Sequence, residues 1–168
     1  MKEENKKTLS EYRMEKAFET LEDSGIMLEK GHLHSCVNRI YYSVFYAVNA
    51  LLIRQGLYSI KHSGVLSLFQ KEFVKTGVVD KDKGDFYLKI FKKRQKGDYD
   101  DFAEFEKEEV KSWLEKAEIF IKEIKKVIKD IGVGKVDGCC VRNLRPRNIR
   151  ESFLDSTVKE MKKERGKQ

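Results

Sequence analysis

A chain of 168 residues, 40% hydrophobic and 38% charged, has apolar material for one buried core and a great deal of surface to solvate. Its formal charge of +7 is uneven: residues 133–168 hold ten Lys or Arg against five Asp or Glu, while the first 132 residues hold 25 against 23. The opening MKEENKKTLSEYRMEK lacks an apolar core, and no uninterrupted apolar run approaches the ~20 residues of a membrane span, so neither a signal peptide nor a membrane association is expected.

The sole proline is Pro146 and strand-like alternation is absent, so the body reads as helical throughout. A first helix carries a capping box in Thr8-Leu-Ser-Glu11, places Met14, Ala17, Phe18, Leu21 and Leu28 on one face, and is closed by Gly31. A second starts around His34 or Ser35 and runs to about Gln55, where Gly56 stops it. Its apolar positions, Val37, Ile40, Tyr41, Val44, Phe45, Val48, Leu51 and Leu52, cover most of the circumference, which marks a central helix covered on several sides. A third follows His62-Ser-Gly with Val65, Leu66, Phe69 and Phe73 inward and ends near Gly77. The segment Lys81 to Arg94 is a shorter helix with Phe86, Ile90 and Phe91 on its apolar side. The run KGDYDD then makes a turn, and Asp101 and Glu104 have N-cap and N3 spacing for a last long helix. There Val110, Trp113, Leu114, Ala117, Phe120, Ile121, Ile124, Val127 and Ile128 keep the helical period until Gly132 and Gly134. The expected architecture is all-α: an antiparallel four-helix bundle with one extra short helix over residues 1–132, followed by a basic tail over residues 133–168.

In that tail RNLRPRNIR places four arginines in nine residues, and Asn148 and Glu151 again have cap spacing. Ile149, Phe153, Leu154, Val158 and Met161 would line one side of a short amphipathic helix, able to dock on the bundle or a partner, while the basic charge can neutralise phosphates. Cys36, Cys139 and Cys140 form no CxxC pair and no disulfide framework, which fits a reduced, cytoplasmic location.

The stretch NRIYYSVFY, residues 38–46, puts polar groups on the most apolar helix. Residues seven apart differ by about 20° in direction and lie roughly 10 Å apart along the axis, so Arg39 and Tyr46 share a face. Tyr42 and Ser43 lie between them, Asn49 continues the line and Asn38 flanks it. A buried charge needs partners. The stripe can line a cleft, meet the same stripe of a second copy, emerge at the bundle end, or pair with an acid such as Asp98 or Glu115.

Three segments together resemble the HEPN domain family in its compact stand-alone prokaryotic branch. NRIYYSVFYAVNALL is similar to its Arg-x-Tyr-Tyr-Ala-x-Phe-His-Ala-Ala-x-Ala-Leu-Leu helix, KHSGVLSLFQKEFVKTG to its His-Ser-Gly-Val segment, and KKRQKGDYDD to its Arg-x-x-x-Asp-Tyr turn. The resemblance covers residues 8 to 130 and leaves out the tail. It implies a homodimer of bundles and a toxin-like or defence role beside a minimal nucleotidyltransferase antitoxin. In ribonuclease members an arginine holds the scissile phosphate and a histidine on the same helix moves protons, with no metal or other cofactor. That implies an RNA or nucleotide groove built from Asn38, Arg39, Tyr42, Tyr46 and Arg94. Arg39 matches the family arginine, but the histidine position is Tyr46, whose phenol is a poor general base at neutral pH; it can still donate a hydrogen bond or stack on a base. Arg39 and Tyr46 are thus the candidate catalytic pair of a metal-independent endoribonuclease, and a non-catalytic interaction module partnering a nucleotidyltransferase is the alternative. His32 and His34 read as loop and helix N-terminal residues, without a third ligand for a metal, and His62 as a capping or packing residue. No GxGxxG, P-loop or Ser-His-Asp pattern supports a different enzyme.

Overall fold

The computed structural model describes residues 3–99 and 104–132. Over these the chain forms α1 (Glu3–Glu29), α2 (Leu33–Arg54), α3 (His62–Phe69), which runs on through a single π-helical turn (Gln70–Val74), α4 (Lys81–Tyr99) and α5 (Lys107–Gly132). The expected all-α bundle is what forms. Helix α2 is its axis: α1 packs along it most extensively, and α5, α4 and α3 close the other sides. From Val37 to Leu52 it contributes Ile40, Tyr41, Val44, Ala47 and Val48 to the core, each essentially without exposure. By length and composition α2 could cross a membrane, but 72% of that stretch is buried inside the bundle, as a core helix requires.

Two polar bonds fix α1 against α2: the Ser10 hydroxyl donates to the Ala50 carbonyl at 2.8 Å and the Cys36 thiol to the Ser24 carbonyl at 3.2 Å, all within the core. The glycines expected as stops perform that role. Gly31 (φ 76°) and Gly56 (φ 73°) adopt left-handed backbone, and the N–H groups of His32 and Leu57 reach back to Met27 and Leu52 carbonyls, which closes both helices with Schellman turns.

Four boundary expectations are corrected. Helix α1 has already begun at Glu3, so Thr8 is not a cap; its hydroxyl donates to the Glu4 carbonyl one turn back. Glu3 pairs with Arg54 at the far end of α2, which ties down this extra turn. The short helix is α3 rather than α4: α4 continues through Gly97 to Tyr99, since one glycine costs a helix only about 1 kcal/mol. Glu104 does not cap α5, which begins at Lys107; buried Phe105 packs edge-on against Trp113 first (6.0 Å), so the chain crosses the core edge before turning into helix. Asp101 and the tail readings lie outside the described residues.

The π turn holds Phe69 and Phe73 in the core together, their rings stacked at 6.3 Å. Gly84 of α4 lies against this turn, and Gln70 Nε2 donates to its carbonyl at 2.7 Å. A Cβ there would sit 3.0 Å from both methyls of Val74, which accounts for a glycine within the first turn of α4.

Candidate functional site

Helix α2 starts at Leu33, within one or two residues of the expected start, and its first turns build the site. His34, Ser35, Val37, Asn38 and Arg39 from its first two turns, Arg94 from α4 and Phe105 ahead of α5 line a cavity of about 250 Å³. His34 stands on Phe105 edge-to-face, with ring centres 4.9 Å apart. Arg39 is exposed and makes no ion pair among the described residues, so the proposed acid partner Glu115 is not engaged, and the Asp98 side chain lies outside the described set. Two guanidiniums therefore open on one cavity, at the helix end where first-turn N–H groups point outward and the dipole is positive.

Behind the cavity Arg94 lies over two tyrosines of α2, 5.5 Å from the Tyr41 ring centre and 5.8 Å from that of Tyr42. Tyr41 is fully buried and its hydroxyl is 2.6 Å from His62 Nδ1. Phe45 stacks on the His62 ring at 4.4 Å. Burial raises the Tyr41 phenol well above its usual range, with Arg94 opposing in part, so it stays protonated. Burial, and after it the positive charge of Arg94, hold the His62 imidazole below its ordinary value. A neutral His62 hydrogen-bonded to Tyr41 is thus the floor of the Arg94 position; it ties α3 to α2 and supports the cavity from behind.

Of the five residues expected in the groove, Asn38, Arg39 and Arg94 meet in the cavity, and Tyr42 lies directly under Arg94. Tyr46 does not line it. It lies two turns along α2, half-buried, under the Arg13 guanidinium of α1 at 5.7 Å. The rest of the polar row is satisfied within its own helix: Ser43 is buried and donates to the Ile40 carbonyl at 2.8 Å, and Asn49 donates to the Phe45 carbonyl at 2.8 Å. These two groups are not available to a ligand. Among the described residues no three His, Cys, Asp or Glu side chains group to hold a metal ion.

The chain matches the HEPN domain over residues 10–127. It belongs to the HEPN domain family. A UPF0332 protein of Thermotoga maritima is 50% identical over 126 residues, covering 75% of this chain and 96% of that protein. Two Methanocaldococcus jannaschii proteins named as candidate toxins are 40% and 35% identical over 126 and 118 residues, covering 74% and 70% of this chain and 86% and 87% of theirs. The match reaches into all five helices described for this HEPN bundle and includes both cavity arginines; it ends before the basic tail.

Sequence reading missed two histidines. His34 lines the cavity from the first turn of α2, and the signal was its four-residue spacing from Asn38, which puts both on one helix face. His62 was read as packing, which is half of its role; its bond to Tyr41 spans 21 residues and is invisible to local pattern.

Proposed function

We propose that this HEPN protein binds a phosphate of RNA or of a nucleotide in the Arg39–Arg94 cavity and acts in a toxin-antitoxin or defence setting. The observation that carries this reading is the convergence of two guanidiniums and the Asn38 amide on one cavity, with Arg39 free of any acid among the described residues. A guanidinium clamps phosphate by paired, charge-assisted N–H···O bonds and keeps its charge at all physiological pH. Tyr42 and Tyr46 continue along the same helix as half-buried rings able to stack on bases or donate a hydrogen bond. In the full form of the proposal the protein is a cytoplasmic homodimer whose α2 faces meet, cleaves single-stranded RNA without metal, and is held in check by a minimal nucleotidyltransferase. The candidate toxins of M. jannaschii support the setting.

The test uses purified protein, fluorescently labelled single-stranded RNA and EDTA. Binding and cleavage that Arg39→Ala abolishes are expected. RNA neither bound nor cleaved by the parent protein would sink the proposal. One observation favours a second reading, a non-catalytic module partnering a nucleotidyltransferase: the residue at the family's histidine position is a tyrosine packed under Arg13 and away from the cavity. RNA bound but left intact, with nucleotidyltransferase binding lost in Arg39→Ala, would select that reading.

A further inference from the structure

A site that moves phosphoryl bonds at neutral pH needs a group that exchanges protons there, and Arg39 and Arg94 cannot. The phenol of Tyr46 is a poor proton acceptor at that pH and lies off the cavity. His62 has its Nδ1 engaged by Tyr41 and its ring covered by Phe45, and it is not among the cavity-lining residues. One histidine does line the wall shared with both arginines. His34 is exposed, set in the first turn of a rigid helix, one turn from Asn38, and turned edge-on to Phe105, so its position is fixed from two elements.

We propose that His34 is the third contact to the phosphate held by Arg39 and Arg94, and that it takes up a proton against that phosphate. This rests on the phosphate-binding reading above and names the residue that would do its proton chemistry. The groups around the imidazole are Ser35, Asn38 and Arg39 on α2, Arg94 from α4, and Phe105 from the segment ahead of α5, where Glu104 and Glu106 flank it in sequence. A phosphodiester held between the two guanidiniums would lie beside the ring, and an anion there favours the charged imidazolium. Imidazolium formation and phosphate binding therefore strengthen each other, and binding tightens as pH falls through the His34 titration.

In RNA cleavage the step is balanced as follows. Neutral His34 accepts the 2′-hydroxyl proton as that oxygen bonds to phosphorus, and the phosphorus–O5′ bond breaks. The departing 5′ oxygen takes a proton from water, and the imidazolium returns its proton to solvent. The products are a 2′,3′-cyclic phosphate and a 5′-hydroxyl.

The test reads the ring NMR signals of the chain's three histidines through a pH titration, with and without thymidylyl-thymidine. This dinucleotide keeps one phosphodiester charge throughout and has no 2′-hydroxyl to react. His34 is assigned by its disappearance in His34→Gln, and His32 and His62 serve as internal references. The expected result is a rise of the His34 midpoint by about half a unit or more at saturating dinucleotide, with the references still and the rise absent in Arg39→Gln. An unmoved His34 midpoint, a shift shared equally by His32, or no dinucleotide binding overturns the proposal. On RNA, His34→Gln should lower cleavage by about 100-fold or more and remove the acid limb of the pH–rate profile. Unchanged cleavage with an unchanged profile also overturns it. Intact RNA with a shifted His34 refutes the ribonuclease reading alone.

Discussion

Arg94 joins the cavity to the core, so neutralising it should have separable effects. In Arg94→Gln the side chain keeps much of its length and loses its charge. The cavity loses one of two guanidiniums. A hydrogen bond to a charged group contributes about 1.5–3 kcal/mol, which is roughly a 10- to 150-fold weakening of phosphodiester binding. Tyr41 and Tyr42 lose the cation over their faces, at 5.5 and 5.8 Å. At a half-buried position each such contact is worth about 0.5–1 kcal/mol, so stability should fall by about 1–2 kcal/mol, or roughly 2–8 °C in Tm for a domain of this size. The third effect is electrostatic: with the nearby positive charge gone, His62 should titrate higher than in the parent, though still below its ordinary value because burial, the larger cause, remains. Dinucleotide titration by NMR reads the first and third effects, and thermal unfolding reads the second. The reasoning is refuted if Arg94→Gln binds dinucleotide within about twofold of the parent while Arg39→Gln loses binding, for then the two arginines do not serve one ligand.

Gly84→Ala should destabilise the bundle by about 1–2 kcal/mol in urea unfolding, because overpacking against Val74 outweighs the helix-propensity gain of about 1 kcal/mol. A stabilised variant would show that the π turn yields freely. His62 is held below its unfolded value of 6.5, so it favours the folded state above that pH, and stability is lost as pH falls from there through the folded value. Replacing it with glutamine should flatten that acid slope in denaturant titrations, and an unchanged slope would contradict the assignment. Cys36 is buried, and burial alone pushes its thiol up to about 11, so it should resist alkylation at pH 8 until the bundle is unfolded. Rapid labelling of Cys36 in the folded protein would contradict this.

The helices were legible because their apolar residues recur at helical spacing: Val65, Leu66, Phe69 and Phe73 were all expected inward and are all buried. Tyr87 was not anticipated, since a tyrosine on a charged helix reads as surface, yet it is fully buried beside Tyr41 and Phe69. Helix ends were less legible because they depend on distant partners. Arg54 holds the first turn of α1, and Phe105 delays α5. The same limit applies at the site. Arg39 and Asn38 could be found from one helix, but their meeting with Arg94 and Phe105 comes from packing of α4 and α5 around α2, which no local pattern encodes.

Position 46 is where a resemblance and a structure ask different questions. In this chain Tyr46 lies seven residues beyond Arg39, roughly 10 Å along the helix axis, and its ring is covered by Arg13 at 5.7 Å. Tyr46 is not among the residues that line the Arg39–Arg94 cavity, so a side chain at 46 is not expected to touch a phosphate held there within one protomer. Tyr46→His is therefore expected to leave cleavage within about threefold of the parent, even though histidine is a far better general base than a phenol near neutral pH. A gain of tenfold or more that still requires Arg39 would refute this. It would mean that position 46 meets the phosphate after all, and the only route left by the geometry is from a second copy whose α2 lies across the first. In that event mixing Tyr46→His carrying Arg39→Gln with the parent should restore the gained activity in trans, which places histidine and arginine on different protomers.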